Sequence, residues 1–215
     1  MPLDSVHASR TRIGALTLPI SGLVAASAAL VPGIGINPAV DSAGFAQAAN
    51  YVGLANLVGI VSLVFLLFGF EALRAFLERN SVDKWAFAGM IFSVIGLGLF
   101  LPFLGIFTFA GPVAGRFYLS GDLQAVSIIS EATGTSNPAA LAIGGVSVLF
   151  SVLGAILFSK AIWRSDKLPK WSAFAYAISA PLNWIPHYIP AFWFLGGILL
   201  FGAGIAIARG IWTNS

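Results

Sequence analysis

Cysteine is absent from this chain. Its absence excludes disulfides, thiolate catalysis and cysteine-ligated metal centres. Charge is nearly as scarce. Only 9% of residues are Asp, Glu, Lys or Arg, against about 25% in ordinary soluble domains. Histidine occurs twice, as His7 and His187. Also missing are paired intramembrane carboxylates and the HExxH, GxSxG and phosphate-loop patterns, so the common hydrolytic and nucleotide-dependent chemistries have no foothold. The net charge of +3 is too small and too dispersed to mark a nucleic-acid surface.

Apolar residues dominate instead, at 58% of the 215 positions. A soluble fold of this size has too little interior to hide so much apolar surface, so the expected solvent is lipid. A spanning helix needs about 20 mostly apolar residues. Six stretches qualify: 13–31, 52–76, 85–110, 139–163, 171–188 and 191–208. The reading is a single all-α domain over 1–215, a polytopic transmembrane bundle of six spans. The apolar run of the first stretch exceeds the core of a usual secretory leader, which favours a retained helix. The fifth stretch breaks helical rules, because it contains Pro181, Asn183, Pro186 and His187 and meets Pro190 almost at once. Irregular backbone at membrane depth is tolerated only where protein or water covers it.

Charge placement orients the bundle. With the N-terminus inside, ten of the eleven basic residues fall on the cytoplasmic side and only Arg116 lies outside. Cytoplasmic loops carry the Lys and Arg excess, so both termini are expected inside. The two longer outer loops, Pro32–Tyr51 and Gly111–Pro138, each have the pattern of a short amphipathic helix. One is expected around Phe45–Ala49, started by Asp41 or Ser42. The other is expected over Asp122–Ala132, capped by Asp122.

Glycine numbers 24 and clusters inside the spans, at Gly96 and Gly98, at Gly144, Gly145 and Gly154, and at Gly196, Gly197, Gly202 and Gly204. Small residues let helices approach closely, which drives association in lipid. Trp85, Trp163, Trp171 and Trp212 fall at inner boundaries, while Trp184, Tyr188 and Trp193 fall toward the outer one, as belt residues do.

Two places carry the polar groups needed for chemistry. Near the inner end of the second span, Arg74 lies three residues from Glu71 and four from Glu78, so helical spacing lets both carboxylates pair with it. Such a cluster either anchors a helix end or forms a cytoplasmic gate or proton site. At the outer end of the fifth span, Asn183, Trp184, His187 and Tyr188, with Trp193 beyond, gather an amide, an imidazole and large aromatics. This region is a candidate ligand site. The imidazole of His187 is also a candidate axial ligand for a porphyrin-type pigment, although no cofactor is required by the sequence. An interfacial turn with His187 facing headgroups is the simpler structural alternative.

The stretch Ala161–Trp171, where basic and small polar residues close one span and a Leu-Pro-basic-aromatic turn opens the next, resembles the inner loop of uncharacterised bacterial six-helix integral membrane proteins. Leu73–Leu77 is loosely similar. The resemblance implies a bacterial inner-membrane location and the six-helix architecture, and it carries no activity or site residues.

Three functions follow as expectations. The first is a non-catalytic membrane protein, either an accessory or scaffold subunit of a membrane complex or a binder of a hydrophobic small molecule. The second is a small-solute transporter or channel lined by Asn56, Ser62, Ser179 and Asn183. The third is an interfacial lipid-modifying enzyme using His187 or Glu71. The expected partners are the lipid bilayer and other membrane subunits, not nucleic acid.

Overall fold

The computed structural model describes residues 3–79, 83–134, 136–184 and 189–214. Among them every regular element is helical. In chain order these are α1 (Leu3–Ala15), α2 (Thr17–Ala28), α3 (Ser42–Glu78) and α4 (Asp83–Gly105), then a π-helical segment (Ile106–Ala110). After it come α5 (Gly111–Leu119), α6 (Ala125–Thr133), α7 (Pro138–Arg164), α8 (Lys170–Trp184) and α9 (Pro190–Asn214). Five helical stretches are long and apolar enough to cross a membrane: His7–Ala28, Ser42–Glu78, Lys84–Leu119, Pro138–Arg164 and Pro190–Asn214. The surface is inverted relative to a soluble protein. Phe68 and Phe174 are about 60% exposed, while Ser21, Ser147 and Ser172 are fully buried. An apolar exterior around a hydroxyl-bearing interior points to a multi-pass membrane protein.

Local chemistry explains the helix limits. Pro19 offers no N–H to the carbonyl of Ala15 and crowds it, and the first stretch breaks there into α1 and α2. Leu16 N–H turns to Ile13 O (3.1 Å). The Trp212 indole N–H of α9 donates to Arg12 O close by, at 3.0 Å. Asp41 caps α3 through Gly44 N–H (2.8 Å). Asn137 caps α7 by accepting from Ala139 and Ala140 N–H (3.0 and 3.2 Å), with Pro138 at the first helical position, where its missing N–H does no harm. The π turn precedes Pro112, which cannot donate to Thr108 O, and Gly111 N–H reaches back to Ile106 O instead.

The helices depart from the apolar runs in instructive ways. The expected loop Pro32–Tyr51 is half helix, since α3 begins at Ser42 and its 37 residues extend about 55 Å. The expected short helix around Phe45–Ala49 is therefore the first turns of α3. Likewise α4, the π segment and α5 run on well past 110. These helices are longer than a hydrocarbon core of about 30 Å, and their extensions meet one another. There Phe45, Ala49 and Val52 pack with Ala114 and with Val126 and Ile129 of α6 in a second small core. Asp122 accepts from Gln124 N–H just ahead of α6 (3.1 Å). The fifth stretch is the opposite case. Its described helix, α8, has 15 residues, about 22 Å.

Six helices close into a ring in the order α2, α3, α4, α7, α8, α9 and back to α2. Two antiparallel seams hold it. Between α4 and α7, a Cβ on Gly154 would meet the Oγ and backbone N of Ser93, and one on Gly96 would meet the same atoms of Ser151. Each helix thus seats a serine in the other's glycine notch, from one Ser-x-x-Gly pattern used twice, and Ser147 Oγ–H donates to Gly96 O across the seam (2.7 Å). Between α9 and α2, Gly204 abuts Leu18 and Pro19, and Gly197 abuts Ala26. Gly204 and Ala208, a small pair four apart, thus serve an intramolecular seam.

Candidate functional site

The ring helices together wall a partly open cavity of about 80 Å³. Every ring helix contributes to the wall: Ala25 from α2, Ser62 from α3, Ser93 from α4, Ser151 from α7, Asn183 from α8 and Trp193 from α9. Among the described residues no charged side chain lines it, and the remaining wall is chiefly Leu, Phe and Ala. Toward the end that holds the termini, an aromatic triad closes the cavity. Phe70 and Phe158 lie 5.1 Å apart by centroid, and Tyr176 stands edge-on to both at 6.2 and 6.3 Å. Toward the α5–α6 end lies a second cavity of about 170 Å³. This vestibule is lined by Ile36, Asn56, Phe103, Phe107 and Thr133, and again by Trp193. The Trp193 side chain, half-buried against Gly59, is therefore common to chamber and vestibule.

Most polar groups around the chamber are spoken for. The Ser62 hydroxyl donates to Ser21 O (3.0 Å), and the two hydroxyls lie 3.2 Å apart. Ser179 Oγ–H donates to Tyr176 O (2.7 Å), and Ser93 hydrogen-bonds Tyr176. Asn183 Nδ2–H donates to Ser179 O (2.8 Å). Two atoms remain without a partner: Ser151 Oγ and Asn183 Oδ1, both buried. A buried polar atom left unpaired costs about 1–3 kcal/mol. Each of these is covered by a neighbour, Ser151 Oγ by Gly96 and the Asn183 amide by Gly196, so the demand for a partner is met by a ligand group or water only once the side chain turns into the chamber. The hydroxyl can donate or accept, while the amide oxygen accepts only. A molecule carrying one donor and a mainly apolar body meets that demand. An ion would find no countercharge.

The residues selected from the sequence divide among several places. Asn183 and Trp193 share the chamber wall. Trp184 ends α8, and His187 and Tyr188, with the porphyrin-type axial ligand they suggested, lie outside the described residues. Asn56 lines the vestibule, with its amide donating to Val52 O (2.8 Å). Glu71, Arg74 and Glu78 sit together at the opposite end of α3. Arg74 reaches both Glu71 oxygens at 3.2 Å and also donates to Glu78 Oε1. This half-exposed cluster faces neither cavity, and exposed helical pairs of this kind contribute only about 0.3–0.5 kcal/mol each.

Sequence reasoning missed Ser93, Ser151 and Tyr176. The repeated Ser-x-x-Gly of α4 and α7 was the available signal for the first two. Trp85 also differs from a belt residue. Its indole N–H is buried, and Lys160 Nζ lies 3.6 Å from the ring centroid, with Lys84 and Arg164 near 5.6 and 5.8 Å. Trp163, Trp171 and Trp212 are roughly half exposed, as interfacial residues should be. Among the described residues no three His, Asp or Glu side chains group as a metal site. Comparison with protein-family models, with curated proteins and with solved structures finds no match for this chain.

Proposed function

We propose that this chain is a six-span membrane protein with both termini in the cytoplasm that binds a small, neutral, largely apolar molecule in its central chamber. The observation that carries the reading is a small chamber walled by all six ring helices and, among the described residues, by no charged side chain, with two residues of that wall, Ser151 and Asn183, each holding a buried, unpartnered oxygen. The absence of charge from that wall favours a neutral ligand, because an ion brought there loses its hydration without recompense.

The orientation rests on the basic residues. Trp212 bonds to Arg12 O, Asn214 bonds to Lys167 O, and Lys160 and Arg164 flank Trp85. The termini and the Lys- and Arg-rich loops therefore share one end of the bundle, and the positive-inside tendency assigns that end to the cytoplasm. The sixth span is α8. Its described helix has 15 residues, and α7 and α9 flank it on both sides.

A small-solute transporter is the second reading, favoured by one observation: two cavities lie in series with Trp193 between them. Release on the far side would require the Phe70–Phe158–Tyr176 cluster to part.

The test is organic extraction of protein purified from native membrane, followed by mass spectrometry, for wild type and Asn183→Leu. The expected result is a neutral small molecule near one per chain in wild type and severalfold less in the variant. Equal recovery from both, with both folded by gel filtration, would refute the assignment.

A further inference from the structure

A groove of about 670 Å³ opens at the terminal end of the bundle, apart from the chamber. One wall is the turn from α7 to α8, residues 166–169, with Trp171. The other is the face of α9 from Gly202 to Asn214. Gly202, Ile205, Arg209 and Thr213 recur at three- and four-residue steps, so they form one strip along α9. Arg209 lies seven residues, about 10 Å, from Gly202. The strip is charged at one end and bare at the other. A Cβ on Gly202 would meet nothing within 4 Å, and Ile205 is 47% exposed.

The charges in the groove are Asp166, Lys167 and Arg209. Asp166 is offset by Lys170 at 3.8 Å. Lys167 and Arg209 have no ion-pair partner among the described residues, which leaves two positive charges beside an apolar floor. The turn that presents Lys167 is held in place. Asp166 adopts a left-handed conformation (φ 48°), which Asp tolerates better than most residues. Asn214 donates to Lys167 O at 3.2 Å, and Leu168 is buried in contact with Gly210. Trp171, 56% exposed at the mouth, is of the type that sits at headgroup level.

We propose that this groove is a binding site for an anionic glycerophospholipid. Its phosphodiester sits between Lys167 and Arg209, and an acyl chain runs along Ile205 and Gly202. A free phosphate ester would use the charged end alone. The apolar continuation of the strip is what commits the site to a lipid.

The test uses the full chain in a neutral detergent, titrated with dioleoyl phosphatidylglycerol or dioleoyl phosphatidylcholine, with bound lipid counted by native mass spectrometry. Wild type should retain one phosphatidylglycerol in preference to phosphatidylcholine. Lys167→Gln with Arg209→Gln should lower phosphatidylglycerol affinity on the order of 30-fold, from two basic contacts near the membrane surface. Gly202→Phe, which keeps every charge and has room for the ring, should weaken both lipids. Arg79→Gln removes a basic residue outside the groove and should change nothing. The proposal is overturned by an absence of headgroup preference in wild type, by an Arg79→Gln effect equal to that of the double variant, or by indifference to Gly202→Phe. Displacement of the lipid by millimolar glycerol 3-phosphate would also overturn it, in favour of a soluble phosphate ester.

Discussion

Replacing Ser151 with alanine should strengthen the empty protein and weaken its hold on a ligand. Ser151 is 5% exposed, and its hydroxyl oxygen has no hydrogen-bond partner. An unsatisfied buried hydroxyl costs about 1–3 kcal/mol, and removing it recovers that desolvation. Alanine also suits a helix interior slightly better than serine, by a few tenths of a kcal/mol. Against this stands lost contact, because Ser151 Oγ occupies the notch left by Gly96, and vacating one atom forfeits several contacts of about 0.1–0.2 kcal/mol each. The net expectation is a gain of about 0.5–2 kcal/mol in protein stripped by extensive detergent exchange, read by reversible unfolding in SDS. A neutral hydrogen bond to a bound molecule contributes about 0.5–1.5 kcal/mol, so retention of the extracted ligand should fall roughly two- to twelvefold. The two effects have opposite signs, which a merely structural serine would not produce. A stripped variant less stable than wild type by 1 kcal/mol or more, or one with unchanged retention, would refute the reasoning.

Glycines in the same two helices should separate sharply. Gly154→Ala places a Cβ 2.6 Å from Ser93 N, so α4 and α7 must part by nearly an ångström, at about 1–3 kcal/mol. Gly98→Ala and Gly145→Ala meet nothing within 4 Å and should be neutral or gain about 0.5–1 kcal/mol, measured in the same SDS assay. Asn137→Ala removes the cap of α7 and should lower stability by about 1 kcal/mol. Trp212→Phe removes the indole bond that ties α9 to Arg12 O, so amide exchange across residues 12–17 should quicken while overall stability falls by no more than about 1 kcal/mol.

Much of the architecture was legible because lipid imposes a simple rule on composition. Long apolar stretches mark the helices and Asp41 marks a start, whereas the break at Pro19 inside the first stretch and the cap at Asn137 emerge only in the structure. Helix ends were less legible where helices outrun the bilayer. Residues 42–51 are polar enough to suggest a loop, yet Phe45 and Ala49 have a partner in α5 and α6 that only the tertiary structure supplies. The chamber was half legible. Asn183, Ser62 and Ser179 stand out as polar residues within spans. Ser93 and Ser151 do not, because they look like ordinary packing serines until the Ser-x-x-Gly seam sets both beside the chamber. Trp193 reads both as a belt aromatic and as part of the candidate ligand site, because periodicity cannot tell a lipid-facing indole from one at the mouth of a chamber.

The most direct measurement exploits the missing cysteine. A single thiol is introduced by Ala180→Cys, on the chamber wall, in protein reconstituted into sealed vesicles. Its reaction is timed with methyl methanethiolsulfonate, which is small and neutral, and with a positively charged methanethiolsulfonate of similar length. A chamber built for small neutral molecules predicts that the neutral reagent modifies the thiol within minutes while the charged one is excluded. Prior loading with the extracted ligand should then protect the thiol. A thiol that ignores the neutral reagent until the protein is unfolded, or that reacts equally with both, would contradict the account.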